Sequence, residues 1–267
     1  MMCRVYGVTR AGFYAWRCRE PSLRAQKNAT LAQHIQQVHQ ASRGTYGSPR
    51  VYRRLQQQGI SVGENRVAKL MQSLGIKGRV ATRRYTSPNL KKFYGCLPNQ
   101  QLEHPADALN QVWVADITYL KVGSIYRYLA VVMDRCSRRI VGWAFGQQKN
   151  VVLTLRALDH AVAKRRPPPG LIFHTDRGIE YYANAFRARL GQLNMTQSMN
   201  RPGKVTDNAF MESFFHSMKA EVIHGCKFSE DNEMLSVIRS YIPFYNRRRI
   251  HSSLNYVSPA TYENQLA

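Results

Sequence analysis

Acidic residues are scarce in this 267-residue chain: 16 Asp and Glu stand against 39 Lys and Arg, a formal net charge of +23. Such an excess implies a polyanionic partner, nucleic acid ahead of membrane. The scarcity is uneven, because residues 1–105 carry 3 acidic and 18 basic side chains while residues 106–267 carry 13 and 21. Binding is therefore expected in front and chemistry behind. Long apolar runs are missing too; the longest clear one, Leu129 to Met133, is far below the ~18 residues of a membrane span. The basic N-terminus has no signal-peptide core, so no membrane partner is expected and the cytoplasm is the default compartment. Five widely spaced cysteines contain no C-x-x-C pair, which argues against a disulfide framework or a zinc site and for reduced, intracellular thiols. No internal repeat or low-complexity tract is present. The 44% apolar content is enough for a real core in one large domain or two small ones.

What is present in front is helical. Gly7-Val8-Thr9 leads into a short helix from Arg10, capped by Thr9 and anchored by Phe13, Tyr14 and Trp16. Leu31, Ile35 and Val38 recur at helical spacing within Leu23 to Ala41. Ser48-Pro49 opens another helix, with Val51 and Leu55 inward, and Gly59 stops it. The next helix runs from Glu64 to Leu74 with Val67, Leu70, Met71 and Leu74 inside. It leaves Asn65, Arg66, Lys69 and Gln72 pointing outward, residue types that suit phosphates and base edges. Residues 46–76 thus read as a helix-turn-helix within a helical DNA-binding region spanning 1–76. An ordinary αα-hairpin with a solvated basic face fits the same spacing. Residues 77–105, with Arg79, Arg83, Arg84, Lys91, Lys92 and three prolines, read as a basic linker able to lie along a phosphate backbone.

From Val112 the pattern changes to strands. Val112 to Val122 and Tyr126 to Asp134 are rich in Val, Ile, Tyr and Trp and join around Gly123-Ser124 as a hairpin would; Arg139 to Gly146 makes a third strand. Val151 to Lys164 is helical, and Leu171 to Phe173 is a short buried strand. This order describes an α/β layer with a mixed sheet over residues 106–225, with 226–267 as a helical basic extension. Asp116 lies inside the apolar strand, where a lone carboxylate is costly to bury, so it must be paired or coordinate metal. Asp176 follows the short strand. Glu212 lies on a helix capped by Asp207, beside an apolar stripe of Phe210, Phe214, Met218 and Val222. A salt bridge with an arginine would explain Asp116 alone. Three acids on elements that can converge instead suggest a divalent, oxygen-ligand site. Asn208, Glu212 and Lys219 fall near one line down the helix, since four residues turn about 400° and seven about 700°.

Three motifs then carry a resemblance. W-x-x-D-I-T-Y at Trp113 to Tyr119, H-T-D-R-G at His174 to Gly178 and D-N-A-x-x-E-S-F-F at Asp207 to Phe215 closely resemble the DDE core of retroviral-integrase-like transposases. More narrowly, the chain resembles the OrfB-type transposases of the bacterial insertion-sequence-three family. YGSPRVYRRL at 46–55 is similar to that family's helix-turn-helix, and YNRRRIHSSLNYVSPATY at 245–262 to its C-terminal signature, so the likeness spans essentially the whole chain. It implies a ribonuclease-H-like mixed-sheet fold in the α/β class, preceded by the small all-α region. It further implies Asp116, Asp176 and Glu212 as catalytic and metal-holding residues, two Mg2+ ions with Mn2+ as a possible substitute, and DNA contacts from Asn208, Lys219, Arg247, Arg248 and Arg249. The partners implied are the element's terminal inverted repeats, target DNA, an OrfA-like protein or fusion, and further copies of the chain on the DNA, in a nucleoid-associated setting.

Two departures stand out. Glu180 replaces the glutamine common in relatives and adds a fourth carboxylate; in its Gly-containing turn it is expected to face solvent, leaving Glu212 as the third ligand. Met1 to Arg19 resembles only the last turn and helix of another helix-turn-helix, as expected of a second reading frame joined to an upstream partner. The implied chemistry is metal-dependent cleavage at the element's ends, then attack of the freed 3′-hydroxyl on another phosphodiester, with a circular intermediate before integration implied by relatives. A hydrolytic nuclease of the same fold and a non-catalytic DNA-binding regulator remain alternatives, whereas the positive charge gives no reason for a paired-carboxylate glycosidase.

Overall fold

The computed structural model describes residues 7–79, 97–202 and 204–266, and it divides after Gly78 into two compact units. The expected linker's Arg83, Arg84, Lys91 and Lys92 lie outside the described residues.

The first unit is helical. Helix α1 (Arg10–Arg17) starts where Thr9 accepts the Gly12 N–H at 3.0 Å, and α2 (Leu23–Ala41) starts likewise on Ser22. Helices α3 (Ser48–Gln57) and α4 (Glu64–Ser73) follow. Leu31, Ile35 and Val38 of α2, Val51 and Leu55 of α3, and Val67 and Met71 of α4 are buried; Leu70 and Leu74 are only half-buried. With Tyr46, 3% exposed, these buried side chains, at about 1.5–3 kcal/mol each, form the unit's small core among the described residues. Asn65, Arg66, Lys69 and Gln72 are exposed on α4, as the helical spacing requires. The expected anchors on α1 are a different matter: Phe13, Tyr14 and Trp16 are 38%, 53% and 68% exposed, because eight residues bring too little apolar surface to enclose them.

The second unit is built on a five-stranded sheet, ordered β3-β2-β1-β4-β5. Strands β1 (Val112–Val122), β2 (Ile125–Asp134) and β3 (Ile140–Gly146) form an antiparallel meander; β4 (Ile172–Thr175) runs parallel to β1, and β5 (Thr196–Met199) parallel to β4. The period of two sorts β1 between two cores. Trp113 and Ala115 pack with Leu153, Ala157 and Leu158 of α5 (Val151–Arg165). This layer is close: a Cβ on Gly142 would meet the Ala157 carbonyl at 2.3 Å, so β3 admits only glycine there. Val112, Val114, Leu120 and Val122 pack on the opposite face against Met211, Phe214 and Met218 of a later helix.

That opposite core also takes Met234, Ile238, Tyr241, Ile242 and Tyr245 from the helix Asp231–Arg247. Residues 226–267, expected as an extension, are therefore part of the second unit's core. The stretch 97–105, expected within the linker, also packs on this unit: Arg135 donates to the carbonyls of Gln101 and His104 at 2.8 and 3.0 Å. Among the described residues no helix is long and apolar enough to cross a membrane.

Candidate active site

The sheet register brings two acids together. Ala115 of β1 pairs with Thr175 of β4 as the last partners of a parallel ladder, and each is followed by an aspartate. Neighbouring strands lie about 4.8 Å apart, so Asp116 and Asp176 leave adjacent strands side by side where the strands part. Asp116 accepts the Ile117 N–H at 2.7 Å, and Asp176 accepts the Gly178 N–H at 3.0 Å. Burial and then the Asp176 charge push the Asp116 carboxyl well above the usual carboxylate range; the Ile117 N–H and Lys149 pull it back, and Glu212 adds a smaller upward push. Burial raises Asp176 as well, against the Gly178 N–H and Lys149 and with Glu180.

The third expected acid is placed differently from its neighbours. Glu212 lies in the first turn of α8 (Ala209–Met218), a helix seated on the sheet through Met211, Phe214, Phe215 and Met218, and its own side chain is exposed. Glu180 is the reverse of its expectation. It lies in the short helix α6 (Ile179–Tyr182), which α7 (Asn184–Gln192) follows; it is only 7% exposed, and the tight turn after Asp176 folds it inward. A Cβ built on Gly178 would lie 2.9 Å from Glu180 Oε2 and 3.0 Å from Asp176 Oδ1, which shows how closely the two carboxylates share this turn. Glu180 Oε2 has Lys149 Nζ at 3.5 Å but no hydrogen-bond partner.

The donor set is oxygen only, on two rigid strand ends whose charges oppose each other without full neutralisation. That environment fits a hard divalent cation, which would stabilise the ionised form of both. Among the described residues no three His, Cys, Asp or Glu side chains converge into a closed metal cage, consistent with Glu212 standing out from the aspartate pair.

Other expected site residues separate into braces and surface. Asn208, expected to contact DNA, is buried and donates from Nδ2 to the Ala115 carbonyl at 3.0 Å, so it ties the start of α8 to β1. Asp207 does not cap α8: it accepts from the Arg201 backbone at 2.9 Å, from the Arg201 guanidinium at 2.8 Å and from Asn99 at 2.7 Å, and the Arg201 hydrogen bond holds it well below the usual range. Its carboxylate thereby closes the loop in front of the helix. His174, matched by motif, is buried between Ser198 Oγ and Asn200 Oδ1, each at 2.8 Å; burial lowers it to about 4, so it is neutral at pH 7 and holds β4 to β5. Arg177 donates to the Asn200 carbonyl at 2.7 Å.

Arg249 needs correcting as a DNA contact. It is 3% exposed and pairs with Glu221 at 2.8 Å, because a guanidinium buried this deeply requires a counter-ion. Arg247 and Arg248 are exposed. Lys219 does not continue α8 regularly: a π-helical turn, Lys219–Ile223, follows Met218 and re-aims the side chain. Its Nζ sits 4.6 Å from the centre of the Tyr119 ring, partly desolvated and within the field of Asp116. Sequence reasoning missed Lys149 and Tyr181 beside the acids. Tyr181 is almost fully buried, and burial, then Asp116, raise its phenol well above 10.

Comparisons with known proteins agree with this architecture. A model of an HTH-like domain matches residues 25–85, and models of an integrase core domain match 106–205 and 212–266. The 31 kDa protein of insertion element IS600 from Shigella sonnei is 39% identical, over 99% of this chain and 98% of its own length. Transposase InsF for insertion sequence IS3A from Escherichia coli K12 is 36% identical, over 99% of this chain and 93% of its own. Among solved structures, the simian T-cell lymphotropic virus intasome, in complex with PP2A regulatory subunit B56 gamma, superposes with a TM-score of 0.50 at 15% identity, covering 86% of this chain and 74% of that one; this speaks for the fold alone. With a helix-turn-helix-like unit in front, an integrase-like mixed sheet behind and full-length relatives at these identities, the chain belongs to the IS3-type insertion-sequence transposases.

Proposed function

We propose that this DNA transposase cuts its element's ends and joins them to target DNA at a divalent-metal site held by Asp116, Asp176 and Glu212. The observation that carries the reading is the Ala115–Thr175 pairing, after which two mutually destabilised aspartates emerge side by side while Glu212 acts on the first of them. Two Mg2+ ions, or Mn2+ in their place, would activate the attacking oxygen and stabilise the leaving one. The chain's own residues do the rest. Lys149 and Lys219 bring positive charge to the acids, where the phosphodiester must approach an anionic site. Water is the first nucleophile and frees a 3′-hydroxyl; that hydroxyl then attacks a second phosphodiester. Tyr181 does not compete as a nucleophile, because its buried phenol stays protonated. Residues 46–76 serve as the helix-turn-helix, with Asn65, Arg66, Lys69 and Gln72 toward DNA, and an OrfA-like partner and further copies assemble on the element's ends in the bacterial cytoplasm, at the nucleoid.

Glu180 and Glu212 give the test of the site. Glu180 already has Lys149 as counter-ion, whereas Glu212 has no ion pair among the described residues. Glu180→Gln is expected to keep most magnesium-dependent strand transfer and Glu212→Gln to lose nearly all of it, on matched DNA ends. The opposite ranking would make Glu180 the third ligand and α8 a packing element. In the first unit, Lys69→Ala is expected to weaken binding to element ends, with the slope of log affinity against log salt reduced by about one if the contact is a phosphate. Arg66 already grips Asn28 Oδ1 at 2.6 Å, so Arg66→Ala also loosens α4 from α2. Unchanged affinity and slope in both variants would return α4 to a solvated face.

A further inference from the structure

The pairing of β1 with β4 ends at Ala115, yet β1 continues to Val122, and among the described residues no strand pairs with that edge. Three side chains gather there. Tyr119 is 60% exposed and Tyr126, across the hairpin, 54% exposed; their rings meet edge to face with centroids 5.4 Å apart. Lys219 reaches over the open edge from the π-turn to place its ammonium 4.6 Å from the Tyr119 ring. Tyr119 is three residues past Asp116, about 10 Å along an extended strand, a distance of one to two nucleotides of DNA backbone. Large exposed aromatics are poorly explained by packing: Tyr119 lies on the face of β1 that buries Trp113 and Ala115 and half-buries Ile117, but past the end of that core. A flat ring, a second ring and a cation beside a phosphodiester site match the chemistry that receives an unpaired nucleobase and the phosphate attached to it.

We propose that Tyr119 and Tyr126, backed by Lys219, form a stacking platform for an unpaired base flanking the phosphate that is cut. The occupant is single-stranded DNA at a frayed end, chosen over a protein partner because the platform's cation, Lys219, also stands within the field of Asp116 and the chain carries a net charge of +23. The proposal rests on the catalytic reading above for the position of the phosphate, but stacking is measurable without catalysis. The probe is a duplex with a short single-stranded overhang in which 2-aminopurine replaces one base at a time, read by its fluorescence on binding the full chain. One or two positions next to the junction should be strongly quenched. Tyr119→Ala should abolish that quenching and weaken overhang binding about tenfold, Tyr126→Ala should lessen it, and Tyr119→Phe, which keeps the ring, should retain it. Asp176→Asn should retain it as well, so quenching without strand products in the wild-type protein would sink the catalytic reading and leave the platform standing. Quenching absent at every position, unchanged in Tyr119→Ala, or lost equally in Tyr119→Phe would overturn the platform. So would a Tyr119→Ala variant that alters only the oligomeric state, which would make the tyrosines an interface between copies.

Discussion

Asp176→Asn is expected to remove magnesium-dependent cleavage and strand transfer while leaving affinity for element ends unchanged. Loss of even an outer partner of a metal ligand typically lowers metal affinity or activity by about 10–100-fold, and a residue in the ligand position should exceed that. The fold should not suffer. The asparagine Oδ1 can still accept the Gly178 N–H that now reaches Asp176 at 3.0 Å, so the turn into α6 is kept. The substitution also takes away a charge that destabilises Asp116, since the Asp176 carboxylate is, after burial, the largest cause of the rise there. The variant's melting temperature without metal should therefore equal or exceed the wild type's, the usual sign of a site strained for function. Added magnesium should raise the wild-type value and leave the variant's nearly unmoved, because only a ligand that binds the folded form stabilises it. Strand products from the variant with magnesium would remove Asp176 from the site, and a variant melting well below wild type would show that its carboxylate is a structural brace.

Much of this site was readable from residue order because strands advertise themselves by alternation. The apolar run around Asp116 marked β1 with its observed bounds, and Gly123-Ser124 marked the hairpin. The strand before Asp176 was expected at Leu171 to Phe173 and runs from Ile172 to Thr175, a shift that still leaves Asp176 at its end. What periodicity does not encode is which way a short turn folds. Glu180 sits in a helix of four residues, and its burial follows from the Gly178 turn packing back on Asp176, a tertiary choice with no local signature. The line drawn through Asn208, Glu212 and Lys219 assumed one continuous α-helix. Asn208 instead precedes the helix and is spent on the Ala115 carbonyl, while the π-turn shifts Lys219. The boundary set at residue 225 failed for a related reason: Met234, Ile238, Tyr241 and Ile242 have ordinary helical spacing, and only the sheet shows which core they complete. The three aromatics of α1 looked like anchors because composition does not say whether an apolar side chain finds a partner.

Arg249 shows how far a basic motif can mislead, and Arg249→Ala is expected to lower the stability of the catalytic unit by about 3–5 kcal/mol. Its guanidinium meets Glu221 through Nε at 2.9 and 3.1 Å and through Nη2 at 2.8 Å, and Nη2 also donates to Ser217 Oγ at 3.1 Å. Tyr241 Oη donates to Glu221 Oε2 at 2.9 Å. Both charged side chains are 4% exposed, so solvent cannot replace a lost partner, and removal of Arg249 strands the Glu221 carboxylate inside. Against a total stability of about 5–15 kcal/mol for a typical domain, that loss leaves little margin. A second variant separates charge from packing. Arg249→Met combined with Glu221→Leu removes both ions and keeps apolar volume, and it should recover most of the lost stability, as buried pairs replaced together usually do. The recovered protein should still transfer strands poorly, because Ser217 belongs to α8 and Glu221 to the π-turn that aims Lys219, and the pair is what ties that turn to the chain after α9 (Asp231–Arg247). Denaturant titration of the three proteins, followed by strand transfer at a temperature where all are folded, measures both halves. If Arg249→Ala instead melts like wild type and weakens DNA binding with a shallower salt dependence, the arginine leaves its pocket to meet phosphate, and the buried pair is a resting state rather than a brace.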